Sequence, residues 1–192
     1  MLTTKNNVLN NGNEYNYQSA IKEVFLDDQE LEIGSKVGVS RAMSFIKRGN
    51  VNKSQGDKST VWLNNIGACL GEIAFCKMLN FDWVDRFDKT NDDSVANTGV
   101  DWFVKTTTYQ NGHLIVPQGS RLDCNYVLVI YSIDCVNKFK VVGWINGLEA
   151  CHNRFFNYRM STYYVSQEQL NPFTDEMLQV MYSQYSSLNK IV

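Results

Sequence analysis

The sequence predicts an α+β domain with an antiparallel or mixed sheet covered by helices, and three observations predict it. Apolar residues at helical spacing mark the first part of the chain, where Leu63, Ile66, Leu70, Ile73 and Ala74 recur at three- and four-residue steps. Strand-like runs rich in Val, Ile, Thr and aromatic residues follow between Val100 and Val165. A helical stripe returns at Met177, Leu178, Met181 and Tyr185. Helices, then strands, then a helix is the order of an α+β fold.

Taken in order, residues 1–19 are Asn- and Thr-rich with little periodicity and read as a flexible N-terminal arm. Residues 20–192 then form a single domain. Ile21, Val24, Phe25, Leu31 and Ile33 suggest a short helix followed by a strand. Ser35 to Arg48 suits an amphipathic helix whose basic side, with Lys36, Arg41, Lys47 and Arg48, faces solvent or a nucleic acid. A polar connection over 49–60 leads to the strongest helix, Trp62 to Leu79. In it Gly67 and Gly71, one turn apart, imply close packing against another element, because each weakens a helix by about 1 kcal/mol. Residues 100–109 form a strand, and Asn111-Gly112 predicts a hairpin into a second strand at Leu114 to Val116. Tyr126 to Tyr131, almost continuously apolar, should lie centrally with both faces covered. A turn over 134–137, a strand from Phe139 to Ile145, a short helix or irregular crossing from Gly147 to Tyr158, a short strand at Tyr163 to Val165 and an N-cap at Ser166 complete the series.

Composition narrows the classes of function. A formal charge of −2 excludes a global positive field, so nucleic-acid binding requires a local basic patch. Cysteines 69, 76, 124, 135 and 151 are odd in number and contain no C-x-x-C pair, which predicts reduced core thiols of a cytoplasmic protein rather than a zinc site. No apolar run approaches the roughly 18 residues of a membrane span. His113 and His152 lack ligand spacing and read as ordinary surface or core histidines. Phe155 to Arg159 is aromatic-rich and reads as core filling in preference to base stacking.

The candidate chemistry centres on the strand after the acidic loop. Its alternation places Asp101, Phe103, Lys105 and Thr107 on one face and Trp102, Val104 and Thr106 on the other. Glu72 is a single acid among small and apolar helix residues. Half-buried there, its carboxylate needs a metal, a lysine or backbone donors, unless it sits at the edge of its stripe and reaches water. Asp92 and Asp93 lie in the loop between. Carboxylates that hold a divalent ion beside a lysine are the parts needed for phosphodiester hydrolysis. Asp101 and Lys105 are four residues apart, roughly 13 Å along a strand, too far to serve one ion together.

These residues resemble the core of the PD-(D/E)XK nuclease superfamily: Asp93, then Phe103-Val104-Lys105, after a helix carrying Gly71-Glu72-Ile73-Ala74-Phe75. A closer likeness is to uncharacterised phage and bacterial proteins with that core. They share Val37-Gly38-Val39-Ser40-Arg41, the Gly67 to Ala74 helix and the strands Leu114 to Val116 and Tyr126 to Val129. They also share Val141 to Ala150 and Tyr163 to Gln167. The likeness spans roughly residues 37–170 and rests on the order of the segments.

The resemblance implies a restriction-endonuclease-like fold: a central mixed sheet of four to five strands flanked by helices. It also implies a Mg2+- or Mn2+-dependent endo- or exodeoxyribonuclease with Lys105, Glu72 and Asp93 as catalytic residues and Asp93, Glu72 and Asp101 as metal ligands. It carries further expectations of DNA as partner, a phage origin, an infected host cell and homodimer formation. The chain departs from the pattern at Phe103, where the superfamily has an acid. That departure implies the alternative of a catalytically degenerate nuclease fold that binds nucleic acid or inhibits a host protein.

Overall fold

The computed structural model describes residues 21–48, 58–80, 82–83 and 101–188. The expected arm over 1–19, most of the 49–60 connection and the acidic loop with Asp92 and Asp93 lie outside the described residues.

The chain enters through strand β1 (Lys22–Phe25) and helix α1 (Asp28–Lys47). This reverses the order expected for 20–33. The local reason is a capping box: Asp27 accepts a hydrogen bond from the Glu30 N–H, and Glu30 answers on the Asp27 N–H. That box starts the helix at Asp28, so Leu31 and Ile33 fall inside it. Helix α2 (Lys58–Met78) follows, and then strand β2 (Trp102–Thr107). Strands β3 (Leu114–Pro117), β4 (Asn125–Tyr131) and β5 (Lys138–Asn146) come next. A single turn of helix, α3 (Gly147–Ala150), leads to β6 (Phe156–Asn157) and β7 (Thr162–Val165), and α4 (Asp175–Leu188) closes the described chain. Ser166 precedes a 3-10 turn, Gln167–Gln169, and makes no side-chain cap.

The main sheet has the order β1-β5-β4-β2, with β4 parallel to β2 and the other pairs antiparallel. It is a mixed sheet of four strands, within the expected range of four to five. Strand β4 is central and buried along Tyr126 to Ile130, as its continuous apolar run requires. The hairpin expected at Asn111-Gly112 does not form. The turn itself does, with the Gly112 N–H donating to the Tyr109 carbonyl at 2.9 Å. The chain then leaves the sheet, and β3 joins β7 and β6 in a separate three-stranded antiparallel sheet. Leu114 and Val116 point inward from that sheet and are fully buried, while Ile115 between them is exposed. An Asn-Gly step encodes a chain reversal, not which strand the chain pairs with next.

Each face of the main sheet supports its own core. On one face, Trp102, Val104, Val127, Val129, Phe139 and Val141 meet Leu70, Ile73, Ala74 and Phe75 of α2 together with Leu178 and Met181 of α4. On the other, Phe103, Tyr126, Leu128, Ile130, Val142 and Ile145 meet Leu114, Val116 and Val165 of the small sheet. Helix α2 lies so close to β2 that a Cβ at Gly71 would collide with the Thr106 side chain. The sequence expectation of close packing at this glycine is thereby met.

Candidate functional site

Glu72 lies on α2 and is 1% exposed. Its carboxylate receives a bidentate pair from Arg41 of α1, with Nη1 donating to Oε1 at 2.8 Å and Nη2 to Oε2 at 2.9 Å. The Trp83 indole N–H adds a third donor on Oε2 at 3.2 Å. The Arg41 guanidinium also lies 5.9 Å from the Trp83 ring centroid. A fork-to-fork arginine–carboxylate pair is both strong and directional. The carboxylate therefore does not reach water from the edge of its stripe; its partner is an arginine, which the sequence reading did not consider for it.

Arg41 itself is 6% exposed and does not belong to a solvated basic face. Its burial follows from its neighbours on α1. Gly34, Gly38, Arg41 and Ala42 are the buried residues of that helix, at steps of four, three and one. Small residues on this stripe bring α1 against α2: a Cβ at Gly38 would stand 2.5 Å from Ile66 Cα. An arginine within a stripe of glycine and alanine was the available signal, because such a stripe faces a helix and not solvent.

Lys105 occupies the opposite side of the sheet. Thr106 faces Gly71 of α2, so alternation turns Lys105 toward the face of Phe103. Its parallel register with Leu128, a member of the second core, agrees. Glu72 and Lys105 are thus not brought together on one face. Phe103, at the position where the resemblance predicts an acid, is buried and packs on Tyr126 with ring centroids 5.6 Å apart.

Asp101 lies at the entrance to β2, exposed, 3.7 Å from Arg121 Nη2. Arg121 is bonded more closely to Asp123, at 2.9 Å, and stands 5.9 Å from the Phe103 ring centroid. The hydrogen bond from Arg121 holds the Asp123 carboxyl below the ordinary carboxylate range. Asp93 lies outside the described residues. Among the described residues, no three His, Cys, Asp or Glu side chains form a group that could hold a metal ion. His113 and His152 are both exposed.

All five cysteines are reduced; Cys69, Cys76 and Cys124 are buried, Cys151 is half-buried and Cys135 exposed. Burial, with a smaller contribution from the nearby Glu72 charge, pushes the Cys76 thiol far above its usual range. No described helix is long and apolar enough to cross a membrane. Compared with known proteins, the chain matches no family model, no curated protein and no solved structure.

Proposed function

We propose that this chain is a nuclease-like protein of PD-(D/E)XK type that binds nucleic-acid phosphodiesters on the Lys105 face of its sheet and does not hydrolyse them. One observation carries the reading. The two positions from which hydrolysis would draw acids, one on the helix and one on the lysine strand, both serve structure. Glu72 is bonded to Arg41 and Trp83, and the strand position before Val104-Lys105 is a core phenylalanine. A carboxylate already held by a bidentate guanidinium would have to surrender those bonds to bind an ion. What the strand keeps is Lys105, half-buried on the face opposite α2, a cation suited to meet a phosphate.

The test is binding and cleavage of labelled DNA, single- and double-stranded, with Mg2+, with Mn2+ and with chelator. The expected outcome is metal-independent binding without cutting. Lys105→Ala should weaken that binding and reduce its salt slope by about 0.7–0.9, the contribution of one phosphate contact. Metal-dependent cutting that Lys105→Ala abolishes would overturn the reading and restore a hydrolytic role.

A further inference from the structure

The Lys105 face extends beyond the small sheet to the C-terminal ends of β2 and β4 and the start of β5. Thr107 pairs with Ile130, and Ile130 pairs with Lys140, so the three side chains stand in one row. Lys138, two residues before Lys140 on β5, points to the same side, as does Glu23 across from Lys140 on β1. Lys138 bonds Glu23 at 2.8 Å and lies 5.6 Å from the Phe25 ring centroid. Lys105, Lys138 and Lys140 thus share this face with one acid of the row, Glu23. A chain of net negative charge places a local positive surface here.

Beside that surface stands Tyr109, 76% exposed. The turn that carries it is well fixed. Its N–H donates to Thr107 Oγ1 at 3.2 Å, and its carbonyl accepts from the Gly112 N–H at 2.9 Å. From the far side, Gln167 Nε2 donates to the carbonyls of Gln110 at 2.8 Å and Gly112 at 3.0 Å. Lys140 Nζ reaches over to Gln110 Oε1 at 3.4 Å, tying the basic row to the turn. A large ring left in water on a pinned turn loses little conformational freedom when something stacks on it.

Resting on the proposed nucleic-acid binding, we propose that this end of the sheet is a track for single-stranded nucleic acid, with Tyr109 stacking a base and Lys138 and Lys140 meeting the backbone phosphates. Duplex bases are already stacked on one another; an exposed tyrosine ring is of use to a base that is not. The combination of cations for the backbone with an aromatic platform for the bases is the chemistry that recognises single strands without reading their sequence.

The experiment is fluorescence anisotropy with a labelled oligothymidylate of about 12 nucleotides, within the span of single-strand sites, beside a duplex of the same length. The oligothymidylate should bind more tightly than the duplex. Tyr109→Ala should weaken its binding by roughly 5- to 150-fold, the range of one base–aromatic stack, and Tyr109→Phe should retain it. The double variant Lys138→Gln, Lys140→Gln should reduce the salt slope by about 1.4. Unchanged thermal midpoints confirm that these surface variants are folded. Wild-type affinity in Tyr109→Ala, or a preference for duplex, would overturn the track. If Lys105→Ala then still weakens binding, the broader phosphodiester reading survives alone. Failure of the wild type to bind either probe would overturn both.

Discussion

The two faces of the main sheet treat charge in opposite ways. On the α2 side, Glu72 and Arg41 are buried and bonded to each other, and Trp83 completes the cluster. On the other side, Lys105, Lys138 and Lys140 are half-buried and keep contact with solvent, and Lys138 pairs with the exposed Glu23. The first arrangement is architectural: it fixes how α1 sits on α2, since one partner comes from each helix. The second keeps its cations near the surface, where Lys138 holds Glu23 and Lys140 reaches Gln110. A buried acid among apolar residues suggests chemistry when read alone, yet here an arginine holds it.

The comparison breaks most sharply at Arg41. Arg41→Ala strands the Glu72 carboxylate in a site that excludes water, and urea denaturation should show a loss of about 3–5 kcal/mol. Glu72→Gln keeps an acceptor for the guanidinium and should cost less. The double variant Arg41→Ala, Glu72→Ala should cost less than the sum of its single changes, because it leaves no uncompensated charge. Additive losses would show that the pair does not act as a unit.

A smaller effect tests the contact that buries the pair. Gly38→Ala places a methyl 2.5 Å from the Ile66 backbone, whereas at Gly34 the nearest atoms are the ends of the Leu70 and Ile73 side chains. Backbone cannot step aside as a side-chain terminus can. Gly38→Ala should therefore destabilise by about 1–3 kcal/mol, the usual cost of overpacking, and by more than Gly34→Ala. Equal midpoints for the two variants would mean that the helices are not held at this distance.

The smallest effect is read from the thiols, which need no substitution. Cys135 should react with a thiol reagent at once and Cys151 more slowly, while Cys69, Cys76 and Cys124 should be protected until unfolding. Burial raises the Cys76 pKa, so raising the pH toward 9 should leave Cys76 unlabelled in the folded protein. Rapid labelling of Cys76 in the native protein would place α2 in a more open state than its packing shows.

The α+β class, the positions of α2, β2, β4 and β5, and the closing helix were all legible in the sequence. Each depends on a periodicity that repeats within a few residues: Leu63 to Ala74 for the helix, Tyr126 to Tyr131 for the buried strand. The capping box at Asp27 and Glu30 was equally local and would have set the order of β1 and α1. Tertiary structure alone decided the rest. Arg41 and Glu72 are 31 residues apart, and nothing in either helix's own pattern states which face of the other it meets. The departure of β3 into a second sheet, and the placement of Lys105 on the side away from Glu72, likewise depend on partners distant in the chain. Periodicity tells a segment which of its faces is apolar; the choice of the surface that covers it belongs to the packed whole, where close approach at Gly38 and Gly71 and the pairing of one buried charge with another select a single arrangement.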